Sequence, residues 1–142
     1  MTAAAAVAGN EAVARRLAED LVVFLETGDV PPNLFAPDLF SDVTLPTWRL
    51  QASDLDGMVA LRRAGHPSTG RVPRRRLDII PDGFVIELTE AWQGEGGEWT
   101  CREMVRAGVR DGRIVELSLY CTGDWSPERI AEHASSVTLL RP

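Results

Sequence analysis

Residues 71–121 read RVPRRRLDII PDGFVIELTE AWQGEGGEWT CREMVRAGVR DGRIVELSLY C, and their period decides the fold. Apolar residues recur at every second position, the repeat of a half-buried strand. The run is broken at Pro81-Asp82-Gly83, at Gly94 to Gly97 and at Asp111-Gly112, connections of hairpin length with glycines where a positive φ is needed. Four strands follow: Arg71 to Ile80, Phe84 to Trp92, Glu98 to Val109 and Arg113 to Cys121. Consecutive hairpins predict an antiparallel sheet. A tight turn at Glu95-Gly96 sets Trp92 opposite Trp99, Glu90 opposite Cys101, Leu88 opposite Glu103, Ile86 opposite Val105 and Phe84 opposite Ala107. A three-residue loop at Arg110 to Gly112 would set Val105 opposite Leu117, Glu103 opposite Leu119 and Cys101 opposite Cys121. Both registers place the same apolar set on one face, and a slip by one residue would turn it outward.

Upstream, the spacing of Val13, Leu17, Leu21, Phe24 and Leu25 predicts a helix capped by Asn10 and ended by Gly28. Asn33 to Phe40 reads as at most a helical turn after Pro31-Pro32, and Ser41 to Leu50 as a strand. Ser53 with Asp56 resembles a capping box, which predicts a second helix from Asp54 to Ala64 closed by Gly65. Ser126-Pro127 opens a short terminal helix to about Ala134. Helices followed by a meandering sheet make an α+β domain with the helices on one sheet face. The expected organisation is a flexible segment over residues 1–9 and one domain over residues 10–142.

Composition narrows the function. The 142 residues are 44% hydrophobic and 25% charged, an ordinary globular balance, and no apolar run reaches the roughly 20 residues that cross a bilayer. The net charge of -6 opposes a phosphate backbone, so neither nucleic acid nor membrane is an expected partner. All 15 bases are arginine. Two cysteines are too few for a disulfide framework and lack zinc-motif spacing, which leads to the expectation of a reduced, cytoplasmic protein with no metal and no cofactor.

Three short stretches in this order and spacing resemble the nuclear transport factor 2-like superfamily, in particular its SnoaL-like bacterial members, and the tail Tyr120-Cys121-Thr122-Gly123-Asp124-Trp125 resembles an actinobacterial branch. They are Glu26-Thr27-Gly28-Asp29 at the end of the first helix, Phe40-Ser41-Asp42-Val43, and the run from Arg110 to Glu116, and the resemblance covers about residues 11 to 125. It implies a cone-shaped bent sheet, a cystatin-like α+β roll, around a deep and mostly apolar pocket, often in a dimer. Family chemistry does not carry over residue by residue. At the ketosteroid isomerase base and tyrosine positions this chain has Thr47 and Leu21, and Leu119 stands where limonene epoxide hydrolases and SnoaL-type cyclases carry an acid.

Two acids remain on the inward face, Glu90 and Glu103. They are diagonal on paired strands, about 7 to 8 Å apart at the backbone, so desolvation and mutual repulsion would raise at least one pKa toward neutrality, as a general acid or base requires. Equally, an arginine such as Arg75 could pair with one or both, or a bulge could turn Glu90 outward. Trp48, Trp92 and Trp99, with Leu88, Leu119, Cys101 and Cys121, are the candidate walls of a ligand pocket, although the tryptophans could equally be core filling and the cysteines small buried hydrophobes. Asp42 and Asp124 fall near strand ends, where the pocket mouth is expected.

Two functions follow. One is a cofactor-free enzyme doing cyclisation, isomerisation or dehydration on an apolar, polyketide-like metabolite of secondary metabolism, with Glu103 as main acid/base and Glu90 assisting. The other is a noncatalytic ligand-binding or accessory module on the same fold. An outer face bearing Met104, Tyr120 and mixed charges is compatible with a homodimer.

Overall fold

A computed structural model describes residues 2–66 and 69–142. The first helix, α1, spans Ala3–Thr27. It starts earlier than Asn10 because the alanines that open it are the strongest helix formers and Thr2 caps them, its hydroxyl accepting from the Ala5 N–H at 3.1 Å. Gly28 ends it at φ 78°, donating its N–H to Phe24.

Residues expected to be a helical turn and a single strand are instead a hairpin, β1 (Phe35–Leu45) and β2 (Trp48–Ala52). Pro37 hides the first half of β1 from a periodicity reading, because it interrupts the pairing between Phe35 and Phe40. The chain turns back at Pro46-Thr47, ahead of β2. Next comes α2 (Leu55–Gly65), capped by Asp54, whose carboxylate accepts from the Gly57 N–H at 2.7 Å. The four strands read from the alternation are present: β3 (Arg71–Ile80), β4 (Gly83–Gly94), β5 (Gly97–Arg110) and β6 (Arg113–Cys121). A last helix, α3 (Pro127–Ser136), is capped by the Ser126 hydroxyl.

The strands form one sheet in the order β2-β1-β6-β5-β4-β3. The sheet is mixed: β1 lies parallel to β6, with Val43 beside Leu119, while every other neighbouring pair is antiparallel. A parallel pair needs a long crossover, supplied here by the whole chain between β1 and β6. The β4–β5 register is the expected one, Glu90 facing Cys101 and Leu88 facing Glu103.

The β5–β6 register is corrected. Asp111 and Gly112, at φ 54° and 73°, make a two-residue turn closed by Arg110 and Arg113, and an irregularity follows at Gly108–Val109. Val105 therefore faces Leu119, and Glu103 faces Cys121, so Cys101 and Cys121 are not opposite. The shift is by two residues, which leaves every side chain on its expected face.

The buried stripe of α1 (Leu17, Leu21, Phe24 and Leu25 among others) packs on the face carrying Phe84, Ile86 and Val105, and Met58 anchors α2. Each such buried side chain contributes about 1.5–3 kcal/mol. On the opposite face, Met104 pairs with Tyr120 in the β5–β6 ladder and both are exposed. No helix among the described residues is long and apolar enough to cross a membrane.

Candidate functional site

Close packing of α1 on the sheet stops short of the other end of the same face. A cavity of about 260 Å³ remains there, between α1, α2, the β1–β2 hairpin and strands β5 and β6. Most of its wall is apolar, from Leu21 and Phe24 of α1, Met58 and Leu61 of α2, Val43 and Leu50 of the hairpin, and Val105, Leu117 and Leu119 of the sheet. The polar lining comes from Ser41, Arg62, His66, Cys101, Glu103, Cys121 and Asp124.

The two inward acids have opposite surroundings. Glu90, 2% exposed, is clamped by Arg62: Nη1 donates to Oε2 at 2.9 Å and Nη2 to Oε1 at 2.5 Å. A further Arg62 bond, to the Leu25 carbonyl at 2.9 Å, ties the pair to the end of α1. Burial opposes the Glu90 charge, but the hydrogen bonds and charge of Arg62 outweigh it and hold the carboxyl below its ordinary range. Arg75, the partner suggested by its place on β3, pairs with Glu19 instead.

Glu103, 7% exposed, has no guanidinium within bonding reach. Its Oε1 accepts a long contact from the Cys101 thiol at 3.5 Å, and its Oε2 has no hydrogen-bond partner in the protein. Burial, then the neighbouring Glu90 charge, push its pKa well above the ordinary range, so Glu103 is the neutral acid of the two. Among the described residues only Ser41 Oγ is likewise a buried side-chain polar atom without a partner, and Ser41 lines the same cavity.

Other groups complete the polar end. Burial and the Arg62 charge lower the pKa of His66, leaving a neutral imidazole whose ring packs edge-on against Trp92 with centroids 4.2 Å apart. Burial raises Asp124. Cys101, Glu103 and Cys121 bring ligand atoms within 4.8 Å of one another, the set among the described residues that could hold a metal ion.

The expected pocket walls divide. Leu119, Cys101 and Cys121 line the cavity, as does Glu103, whereas Leu88 lies in the packed core and Glu90 is engaged behind Arg62. Trp92 is buried and reaches the site only through His66, and Trp99 folds onto its own hairpin, Nε1 donating to the Glu95 carbonyl at 2.8 Å. Trp48 is 66% exposed, because the expected strand turns at Pro46-Thr47 and leaves it at the hairpin tip. Asp42 is held by Arg49 and Gln51 outside the cavity lining. Arg62 and His66 are the site residues that sequence reasoning missed. The available signal was Arg62 at four residues after Met58, on the buried stripe of α2.

No protein-family profile matches the chain, and no curated protein matches it. Solved structures do match. A nuclear transport factor 2-like protein from Anabaena variabilis ATCC 29413 superposes with a TM-score of 0.66 at 15% identity, over 81% of this chain and 90% of that one. This chain has the nuclear transport factor 2-like fold. The same fold relates it to a candidate polyketide cyclase from Pseudomonas putida KT2440 (TM-score 0.59, 17% identity, 84% and 96% of the two chains). An LEH-like epoxide hydrolase from M. tuberculosis superposes at 0.60 and 18% identity, over 78% and 83% of the chains. At these identities the likeness is one of fold, and chemistry has to come from this cavity's own residues.

Proposed function

We propose that this chain is a cofactor-free acid/base enzyme acting on a small, mostly apolar molecule with one carbonyl or hydroxyl group. The observation that carries this reading is the unpartnered Glu103 Oε2 in an otherwise apolar cavity, beside an equally unpartnered Ser41 Oγ. An unmade buried hydrogen bond costs about 1–3 kcal/mol, and a bound polar group would recover it. The neutral Glu103 carboxyl is the proton donor and the neutral His66 imidazole the acceptor. Burial reverses the state Glu103 has in water and holds His66 neutral, which suits proton transfer at neutral pH. Glu90 does not exchange protons; its charge, fixed by Arg62, assists by keeping Glu103 protonated.

Size narrows the substrate. A cavity of about 150 Å³ holds a benzene, so about 260 Å³ suits one or two rings rather than a four-ring polyketide. The names of the fold relatives, a candidate cyclase and an epoxide hydrolase, are consistent with small-molecule chemistry. The noncatalytic alternative draws on the loss of one carboxylate to Arg62.

β-Tetralone, a two-ring ketone with an exchangeable α-proton, separates the two. Wild-type protein in deuterated buffer is expected to accelerate α-deuteration, followed by NMR, and Glu103→Gln to lose about 10²–10⁴ of that acceleration. Thermal stabilisation by β-tetralone without any acceleration of exchange would transfer the cavity to the binding-module reading.

A further inference from the structure

Cys121 closes β6 directly opposite Glu103, in the cavity wall, and nothing in the proton-transfer reading uses it. Its Sγ accepts the Gly123 N–H at 3.3 Å. Gly123 can turn back onto the sulfur because it adopts φ 81°, where a Cβ would also stand 3.0 Å from Pro46. Sγ of Cys121, Sγ of Cys101 and a Glu103 carboxylate oxygen lie within 4.8 Å of one another. The buried Glu103 Oε2 without a partner is an independent sign that this corner receives a ligand.

We propose that Cys121 is a nucleophile and that the substrates of this cavity include small α,β-unsaturated ketones, with Glu103 as the proton donor to the adduct. The inference rests on the reading of Glu103 as a neutral acid facing a bound ligand.

The two thiols have different tasks. The Gly123 N–H donated to Cys121 Sγ at 3.3 Å favours the thiolate, the form that attacks carbon. Cys101 donates its one thiol hydrogen to Glu103 Oε1 at 3.5 Å and stays a thiol. The titratable and charged groups around Cys121 are Cys101 and Glu103 of β5, Glu90 of β4 with its partner Arg62 of α2, and His66 and Asp124. Of these, Glu103 is neutral and Glu90 is paired with Arg62, while the Asp124 charge opposes the thiolate.

A soft sulfur beside a neutral carboxylic acid in an apolar chamber fits conjugate addition. The sulfur lone pair forms the C–S bond at the β-carbon, the C=C pair shifts through to the carbonyl oxygen, and that oxygen takes the Glu103 proton. The enol then becomes the saturated ketone, and the proton released when Cys121 ionised returns to Glu103 through solvent. The net change is addition of S–H across the double bond, with nothing oxidised or reduced. Elimination after rotation about the former double bond releases the other geometric isomer.

Benzylideneacetone tests this, with its saturated counterpart benzylacetone as competitor. The chain has no lysine and only two cysteines, so side-chain amines contribute no adducts and peptide mapping is unambiguous. Reduced, chelator-treated full-length protein is expected to gain one benzylideneacetone by intact mass, at Cys121, at least about tenfold faster than glutathione at neutral pH. Cys121→Ser abolishes the adduct, Cys101→Ala keeps it at Cys121, Glu103→Gln slows it, and benzylacetone competes. Mapping of wild-type protein alone stands in should a variant not fold. An adduct at Cys101, or a rate no greater than that of glutathione, overturns the inference. If benzylacetone stabilises the protein and β-tetralone still exchanges while no adduct forms, the nucleophile is overturned and proton transfer by Glu103 stands. If benzylacetone does not stabilise the protein and β-tetralone does not exchange, both fall.

Discussion

Glu90 and Glu103 are the same residue on the same buried face of adjacent strands, yet one corner of that face is closed and the other open. At the closed corner α2 delivers Arg62, whose planar fork satisfies both Glu90 oxygens and a carbonyl of α1. At the open corner no guanidinium bonds Glu103, which meets the Cys101 thiol and the neighbouring Glu90, and the residue lines the cavity. Burial alone would raise both carboxyls. What separates them is whether a helix supplies a guanidinium, so the ionisation of two sheet residues is decided by one position of α2.

Removing Arg62 attacks that difference most directly. Arg62→Ala leaves Glu90 buried without its counterion and is expected to cost about 3–5 kcal/mol in urea unfolding, the largest effect anticipated in this molecule. Arg62→Lys should recover only part, because an ammonium cannot match the two-point geometry. Joint replacement of Arg62 and Glu90 by Met should cost less than Arg62→Ala alone, since no charge is then stranded. An Arg62→Ala loss below about 1 kcal/mol would mean that the closed corner is not closed in solution.

Glu103→Gln sharpens the contrast through pH. Folded Glu103 keeps its proton at pH values where the unfolded chain has released it, so the folded state binds more protons there. Stability contributed by the protonated form is complete below the ordinary glutamate range and is lost as pH rises toward the folded pKa, by up to about 1.4 kcal/mol per pH unit. Glu90 has the opposite sign: its lowered pKa contributes stability above the ordinary range that is lost as pH falls. Glu103→Gln is therefore expected to melt higher than wild type at neutral pH, with the gap closing on acidification toward the ordinary glutamate range. A variant that melts lower at neutral pH would show that Glu103 is ionised and structurally paired.

Much of the open corner was legible before the structure, and the reason is local. Alternation from Phe84 to Trp92 and a glycine turn at residues 94–97 suffice to place Leu88 opposite Glu103 and Glu90 opposite Cys101. Arg62 was not legible as a partner, because a helix docking on a sheet is a nonlocal event and three other arginines, at 74, 75 and 76, lie nearer in sequence to the strand concerned. The first half of β1 lacks alternation at Pro37, and the β5–β6 irregularity at Gly108–Val109 leaves no mark that distinguishes a two-residue from a three-residue turn. These two local irregularities decide which residues surround the cysteines. Cys121 moved from opposite Cys101 to opposite Glu103, which turned a thiol pair into a thiol and acid pair.

The smallest expected effect comes from the arginine that sequence placed beside the acids. Arg75 donates to Glu19 at 3.0 Å, the same chemical pair as Arg62 and Glu90, but the two side chains are 41% and 62% exposed against 13% and 3% in the buried pair. Water screens the outer pair, and holding two long side chains in one geometry consumes much of what attraction remains. Its single contact also lacks the two-point fork that makes the inner pair directional. Arg75→Ala should therefore change stability by no more than about 0.5 kcal/mol, with most of that change gone in high salt, whereas the Arg62→Ala loss should be nearly salt-independent. Urea unfolding of both variants at low and high ionic strength checks this directly. Equal losses, or an equal salt dependence, would mean that burial does not separate the two arginine and glutamate pairs, and the contrast between the closed and open corners would then lose its electrostatic basis.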